Sequence, residues 1–224
     1  MPTLDTIPFH IDFSTLLDQL RIKEHSSHAS QLLKIARDAE VVARPKAIYG
    51  ISFVEARGED WVVVDSIKFS SLLLRINLND VHRIFPYVAT CGVELEKWST
   101  SNEDFLFRFW ADTIKQMAVH RATEAMRQDL KERFQPGPLS SMNPGSLGDF
   151  PLTAQPDLFA LLCDVEEQIG VQLTTSLLML PTKSVSGILF PTEKQFFSCQ
   201  LCPREQCPSR RAPYEAELWQ TKFA

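Results

Sequence analysis

Between residue 102 and about residue 133 the chain carries one unbroken apolar stripe. Leu106, Trp110, Ile114, Met117, Ala118, Ala122, Ala125, Met126 and Leu130 recur at three- and four-residue steps. The spacing predicts a single helix of roughly nine turns, stopping before Gln135-Pro-Gly-Pro138. An apolar stripe of that length must be covered by another layer, and the flanking segments say which kinds are present.

The first forty residues read as two helices. Leu16, Leu17, Leu20 and Ile22 mark one; Leu32, Leu33, Ile35, Ala36 and Ala39 mark the other, with Ser27 or Ser30 as its cap and Pro45 just past its end. The period then changes. Ala47–Val54 alternates, Gly58-Glu-Asp60 makes a turn and Trp61–Val64 is β-branched, which together read as a hairpin. Ser71–Ile76 fits a short helix or a third strand, and Phe85–Gly92 a buried strand. The stretch Leu139–Pro151 is too long and too rich in turn formers for a simple connector. A further helix is expected from about Pro156 to Gln168, with Gly170 as its stop. Helices, then strands, then helices again imply an α+β architecture and exclude a doubly wound sheet.

The 224 residues, 44% of them hydrophobic, suffice for one large domain or one domain with an appendage. A net charge of −5 argues against nucleic acid as a partner. No apolar run reaches membrane-spanning length, and the N-terminus lacks a basic start followed by an apolar stretch, so the expected location is cytoplasmic, with no membrane partner.

Three of the five cysteines fall within nine residues, as Cys199-Gln-Leu-Cys202-Pro-Arg-Glu-Gln-Cys207. Such thiolates can converge on one soft metal or iron–sulfur cluster, or form a disulfide knot; a reducing compartment and the odd cysteine total favour the metal. A closed site needs a fourth ligand, for which Cys163 is the first candidate and Cys91 the next. Arg210 and Arg211 would offset the thiolate charge or contact the carboxamide or phosphate groups of a partner's cofactor. His120 reads as a core or interface histidine, and Glu94 and Glu96 as a solvated helix start.

Four further segments occur in order: Ala89-Thr-Cys-Gly-Val-Glu-Leu-Glu96, Asn143-Pro-Gly-Ser-Leu-Gly-Asp-Phe-Pro-Leu152, Ile169-Gly-Val-Gln-Leu-Thr-Thr-Ser176 and Met179-Leu-Pro-Thr-Lys-Ser-Val-Ser-Gly187. From about Arg21 to Tyr214 this succession resembles the activation domain of cobalamin-dependent methionine synthase, and within that family the free-standing activation-like subunits of anaerobes. The resemblance implies a bent antiparallel sheet with packed helices. It divides the chain into a helical lead (1–45), an α+β core (46–195) and a cysteine-rich tail (196–224).

It also implies a function. The family's domain docks over a corrinoid-carrying domain and presents S-adenosylmethionine, so that a one-electron-reduced corrinoid is trapped by methylation. By analogy Asn143, Pro144, Gly145, Asp149, Ser184, Ser186 and Gly187 are the cofactor-binding candidates, and a corrinoid-binding methyltransferase protein, as in a split methionine synthase, is the expected partner. Cobalamin would come with that partner. The family's arginine before the Pro-Gly pair and tyrosine after it are Ser141 and Ser146 here, a glutamate of many short subunits is His120, and an aromatic position is Leu189. Serine cannot supply arginine's bidentate charge to a carboxylate, so the S-adenosylmethionine site is incomplete at that position. Two readings of other classes follow: an iron–sulfur electron-transfer or sensing module on the same fold that no longer binds S-adenosylmethionine, and a docking protein with a structural zinc.

Overall fold

The computed structural model describes residues 1–193, 196–204, 206–207 and 210–218. Its strands are β1 (Thr3–Leu4), β2 (Lys46–Tyr49), β3 (Ser52–Arg57), β4 (Trp61–Val64), β5 (Ile67–Ser70), β6 (Arg83–Thr90), β7 (Leu139–Met142), β8 (Gln172–Leu173), β9 (Met179–Leu180) and β10 (Ser184–Pro191). Its helices are α1 (Phe13–Leu20), α2 (Ser27–Val42), α3 (Leu72–Asn77), α4 (Val93–Thr100), α5 (Phe105–Phe134), α6 (Gln155–Ala160) and α7 (Val165–Ile169).

The long helix forms as its stripe requires. The Asp104 carboxylate accepts from the Phe107 N–H at 2.8 Å to cap α5, and Gln135 ends it in a left-handed conformation (φ 44°). The stripe is covered by two different layers. Trp110, Ile114 and Ala118 pack among Leu16, Leu17, Leu32 and Ile35 of α1 and α2. Ala122, Met126 and Leu130 pack on the sheet, among Tyr49, Phe85, Tyr87, Ala89, Leu139 and Leu189. Truncating a fully buried residue such as Met126 to alanine would cost about 2–5 kcal/mol.

The sheet is antiparallel, mixed with helices on both faces, and built around β6. On one edge β6 pairs with β2 along Tyr87–Thr90 and with β3 at Arg83 and Ile84; on the other it pairs with β10 from Phe85 to Thr90. β10 in turn holds β7, β3–β4–β5 form a meander, and β1 joins β2. The face away from α5 is filled by Val62, Val64, Phe69, Phe150, Leu158, Ile188 and Phe190.

Several expectations need correction. Ala47–Val54 is not one strand: β2 and β3 are separated at Gly50 and Ile51. Pro86 sits opposite the break. Its carbonyl accepts from Gly50 N–H at 2.9 Å, but proline has no N–H to return to that edge, so the ladder lapses there. Ser71–Ile76 resolves as helix, capped by the Ser71 hydroxyl on Leu74 N–H. The cap of α2 is Ser26, one residue before the expected range. The single helix expected over 156–168 is two short ones, because Asp164 turns left-handed (φ 54°) between them. Gly170 does stop the second, with φ 74°. His120 is exposed and belongs to no core. Glu94 and Glu96 are not simply solvated: Glu94 pairs with Lys46 at 2.8 Å and Glu96 with Lys115 at 3.1 Å.

Candidate functional site

Two of the segments that carry the family resemblance, the Pro-Gly turn and the Ser-Val-Ser-Gly strand, meet where β7, β10 and β6 run side by side. Asn143 follows β7 directly. Its side-chain amide donates to the Tyr87 hydroxyl at 2.9 Å and to the Ser186 carbonyl at 2.6 Å. Gly187, paired with Tyr87 in register, makes this possible: a Cβ there would collide with Asn143 Nδ2 and stand 2.8 Å from the Met142 carbonyl. Beyond Asn143 the chain turns tightly. Ser146 N–H and Oγ both donate to the Asn143 carbonyl, at 3.1 and 2.6 Å, and Gly145 takes φ 79° with its N–H on the Phe150 carbonyl. Pro144 lies within that turn, half-buried.

The other candidates lie apart. Ser184, at the start of β10, donates to Thr90 Oγ1 at 2.9 Å and to the Pro181 carbonyl at 2.8 Å. Asp149 is turned toward α3, where its carboxylate accepts from the Ser71 hydroxyl and from the Leu73 N–H at 2.8 Å. The structure therefore brings Asn143, Ser186 and Gly187 into one unit with Tyr87, while Asp149 braces the loop from behind. A cleft of about 280 Å³ separates Leu147, Gly148 and Asp149 from Leu201, Tyr214, Glu215 and Ala216 of the tail.

Two cations escape sequence reasoning because they ride on the long helix. Lys115 is 6% exposed and is held by Glu96, with Thr182 Oγ1 at 3.5 Å and Asp112 at 3.9 Å. Its place three residues before Ala118, at the border of the stripe, was the available signal. Arg127 differs. Its Nε is buried without a hydrogen-bond partner among the described residues. Burial first, and then the Arg211 charge, hold its pKa below the ordinary arginine value.

The tail cysteines are partly ordered by arginines. Cys199 lies in a single 3-10 turn, Ser198–Leu201, and Cys202 caps its end. The Arg210 guanidinium donates to the carbonyls of Cys199 (3.0 Å) and Cys202 (2.9 Å), and Arg211 N–H donates to Cys199 Sγ at 3.4 Å. Cys163 is elsewhere, exposed in the break between α6 and α7 with its N–H against Met1 Sδ at 3.5 Å. Cys91 is buried, and burial first, then Glu96, push its thiol up to about 12. Among the described residues no three His, Cys, Asp or Glu side chains group so as to hold a metal ion. Cys163 therefore lies apart from the Cys199–Cys202 turn that Arg210 orders.

Residues 146–212 match the family described as vitamin B12 dependent methionine synthase, activation domain. The solved structure of a MetH reactivation domain bound to AdoHcy superposes with a TM-score of 0.65 at 17% identity, covering 88% of this chain and 80% of that one. The chain has the reactivation-domain fold. Its likeness to the methionine synthase activation domain thus rests on a sequence match in the C-terminal third and on shared architecture across nearly the whole length. A search of curated proteins found no match. No described helix is long and apolar enough to cross a membrane.

Proposed function

We propose that this chain is a reactivation module for a corrinoid-dependent methyltransferase, an accessory subunit of a split cobalamin-dependent methionine synthase. The observation that carries the reading is the Asn143–Tyr87–Ser186 junction: the Pro-Gly turn and the Ser-Val-Ser-Gly strand, distant in sequence, are locked together on a reactivation-domain fold whose solved counterpart holds AdoHcy. Asn143, Pro144, Gly145, Ser186 and Gly187 would form the ligand face, Ser184 would hold the start of β10, and Asp149 would fix the loop's course.

S-adenosylmethionine supplies a methyl group whose departure leaves the neutral thioether S-adenosylhomocysteine, while a one-electron reductant supplies the electron that an inactive cobalt(II) corrinoid lacks. The protein's part is positional. A rigid turn fixes the donor while the partner presents the corrinoid, converting a chance encounter into a defined approach.

The test is calorimetry of S-adenosylhomocysteine on the purified chain, with conversion of a cobalamin-loaded partner domain from the cobalt(II) to the methylated form under a low-potential reductant. Binding and chain-dependent methylation are expected. No binding and no effect on methylation would overturn the reading.

A second reading keeps the fold but makes the tail an iron–sulfur or zinc site. The Arg211 N–H on Cys199 Sγ favours it, since amide donors of this kind stabilise a ligating thiolate. It requires Cys207 to close on the Cys199–Cys202 pair. Brown anaerobic protein, bleached by Cys202→Ala, is the cluster's signature, and colourless protein carrying zinc that Cys202→Ala releases is the zinc site's; metal-free, colourless protein would exclude both.

A further inference from the structure

We propose that Arg127 is the cation that receives the ligand's carboxylate, with Arg211 approaching the same anion from the tail; the proposal rests on the methyl-donor reading above.

Three observations converge on it. The first is the unsatisfied group. Arg127 Nε is buried with no acceptor among the described residues. Buried polar atoms are nearly always paired, and a half-buried guanidinium whose Nε is cut off from water is costly to leave unpaired. The second is the company it keeps. The Arg211 guanidinium acts to lower the Arg127 pKa, and neither arginine side chain has an ion pair among the described residues. Two like charges that repel one another are stabilised by an anion that both can reach.

The third is position. Along β7 alternate side chains share a face. Leu139 packs with Ala122, Met126 and Leu130 of α5, Met142 packs in the opposite layer, and Asn143 bonds Tyr87 of the α5 side. Ser141 therefore sits on the face toward α5, and Arg127 follows Met126 on that helix. The charge missing from the strand at Ser141 is delivered across the same layer from the helix. Guanidinium geometry suits it, because the planar fork matches the two oxygens of a carboxylate.

The experiment compares S-adenosylhomocysteine with 5′-methylthioadenosine, which has the same nucleoside and thioether but neither the carboxylate nor the ammonium group, so that the arginine variants assign the difference to the carboxylate. Calorimetry should show the wild-type chain preferring S-adenosylhomocysteine. Arg127→Met should weaken that compound roughly 10- to 100-fold and leave 5′-methylthioadenosine unchanged. Ser141→Arg added to Arg127→Met should restore part of the loss. Melting separates this role from a structural one: removing a desolvated cation should leave Tm unchanged or raised, whereas loss of a structural contact would lower it.

Arg211→Gln, at an exposed position, gives a second readout should Arg127→Met fold badly, and should weaken the carboxylate compound alone. Equal affinity of wild-type protein for both compounds, or an Arg127→Met variant that binds S-adenosylhomocysteine as well as wild type, would overturn the clamp and leave the methyl-donor reading standing. Wild-type protein that binds neither compound would overturn both.

Discussion

The Asn143 amide and the Tyr87 hydroxyl stand 2.9 Å apart, joining the Pro-Gly turn to the central strand of the sheet. The same amide donates to Ser186, so one side chain satisfies acceptors on two strands. Gly187 is the residue that lets it in. Gly187→Ala would place a methyl group against Asn143, the Met142 carbonyl and the Tyr87 ring. We expect a loss of about 1–3 kcal/mol, read by urea denaturation, together with weaker S-adenosylhomocysteine binding. An alanine variant of unchanged stability would mean that the turn can move aside.

Asp149 offers a contrast. It accepts from the Ser71 hydroxyl and the Leu73 N–H at the start of α3. Asp149→Ala should cost about 1.5–3 kcal/mol, the range for hydrogen bonds to a charged group, and lower Tm with it. Ligand affinity at saturation of folding should change little. A large affinity loss with full stability would show that Asp149 touches the ligand directly.

The Lys46–Glu94 pair links β2 to α4 at 2.8 Å. Burial tends to raise the Glu94 pKa, but the Lys46 hydrogen bond, a backbone bond and the charges of Lys46 and Arg44 outweigh it and hold the carboxyl below its ordinary value. A depressed folded-state pKa means stability that is fully present above the unfolded value, about 4.3 for glutamate, and lost as pH falls through the folded one. Lys46→Met should therefore destabilise at pH 7, and the difference from wild type should shrink on acidification below about pH 4. Because Glu94 is partly exposed, the effect at neutral pH should be modest, about 0.2–1 kcal/mol. A gap between variant and wild type that does not vary with pH would refute the assignment.

Thiol reactivity separates two cysteines. Cys163 is exposed, whereas Cys91 is buried with its thiol pushed up to about 12. At pH 8 a disulfide reagent should modify Cys163 in native protein and leave Cys91 intact until denaturant is added. Rapid native modification of Cys91, followed by peptide mapping, would contradict the buried placement.

How far the sequence could be read followed from which forces act locally. The α5 stripe, the hairpin turn and the Gly170 stop were legible because periodicity and backbone preference decide them. The β2–β3 break was not, since its cause, Pro86, lies on another strand and acts through an absent N–H. The split of the 156–168 helix depends on one left-handed aspartate, a choice that packing makes. Asn143, Ser186 and Gly187 were recognisable by their motifs, but Tyr87 was hidden in an ordinary β run and Arg127 in an amphipathic helix. Only the fold shows that Tyr87 meets Asn143 and that the Arg127 Nε is buried without a partner among the described residues. The cysteine spacing suggested a metal centre, yet spacing cannot say where Cys163 lies, and the structure puts it beside Met1.

The central position of β6 also bears on how the chain reaches this fold. Its partners on one edge, β2 and β3, precede it closely, but β10 on the other edge is far downstream: Ser184 and Thr90, which pair in register, are 94 residues apart. During synthesis β6 must wait with one row of amides and carbonyls unpaired, the kind of open edge that recruits strands from other molecules. A fragment that stops short of β10 should for that reason be more prone to aggregate than its loss of buried area alone would suggest, and adding a peptide spanning 184–191 should suppress this.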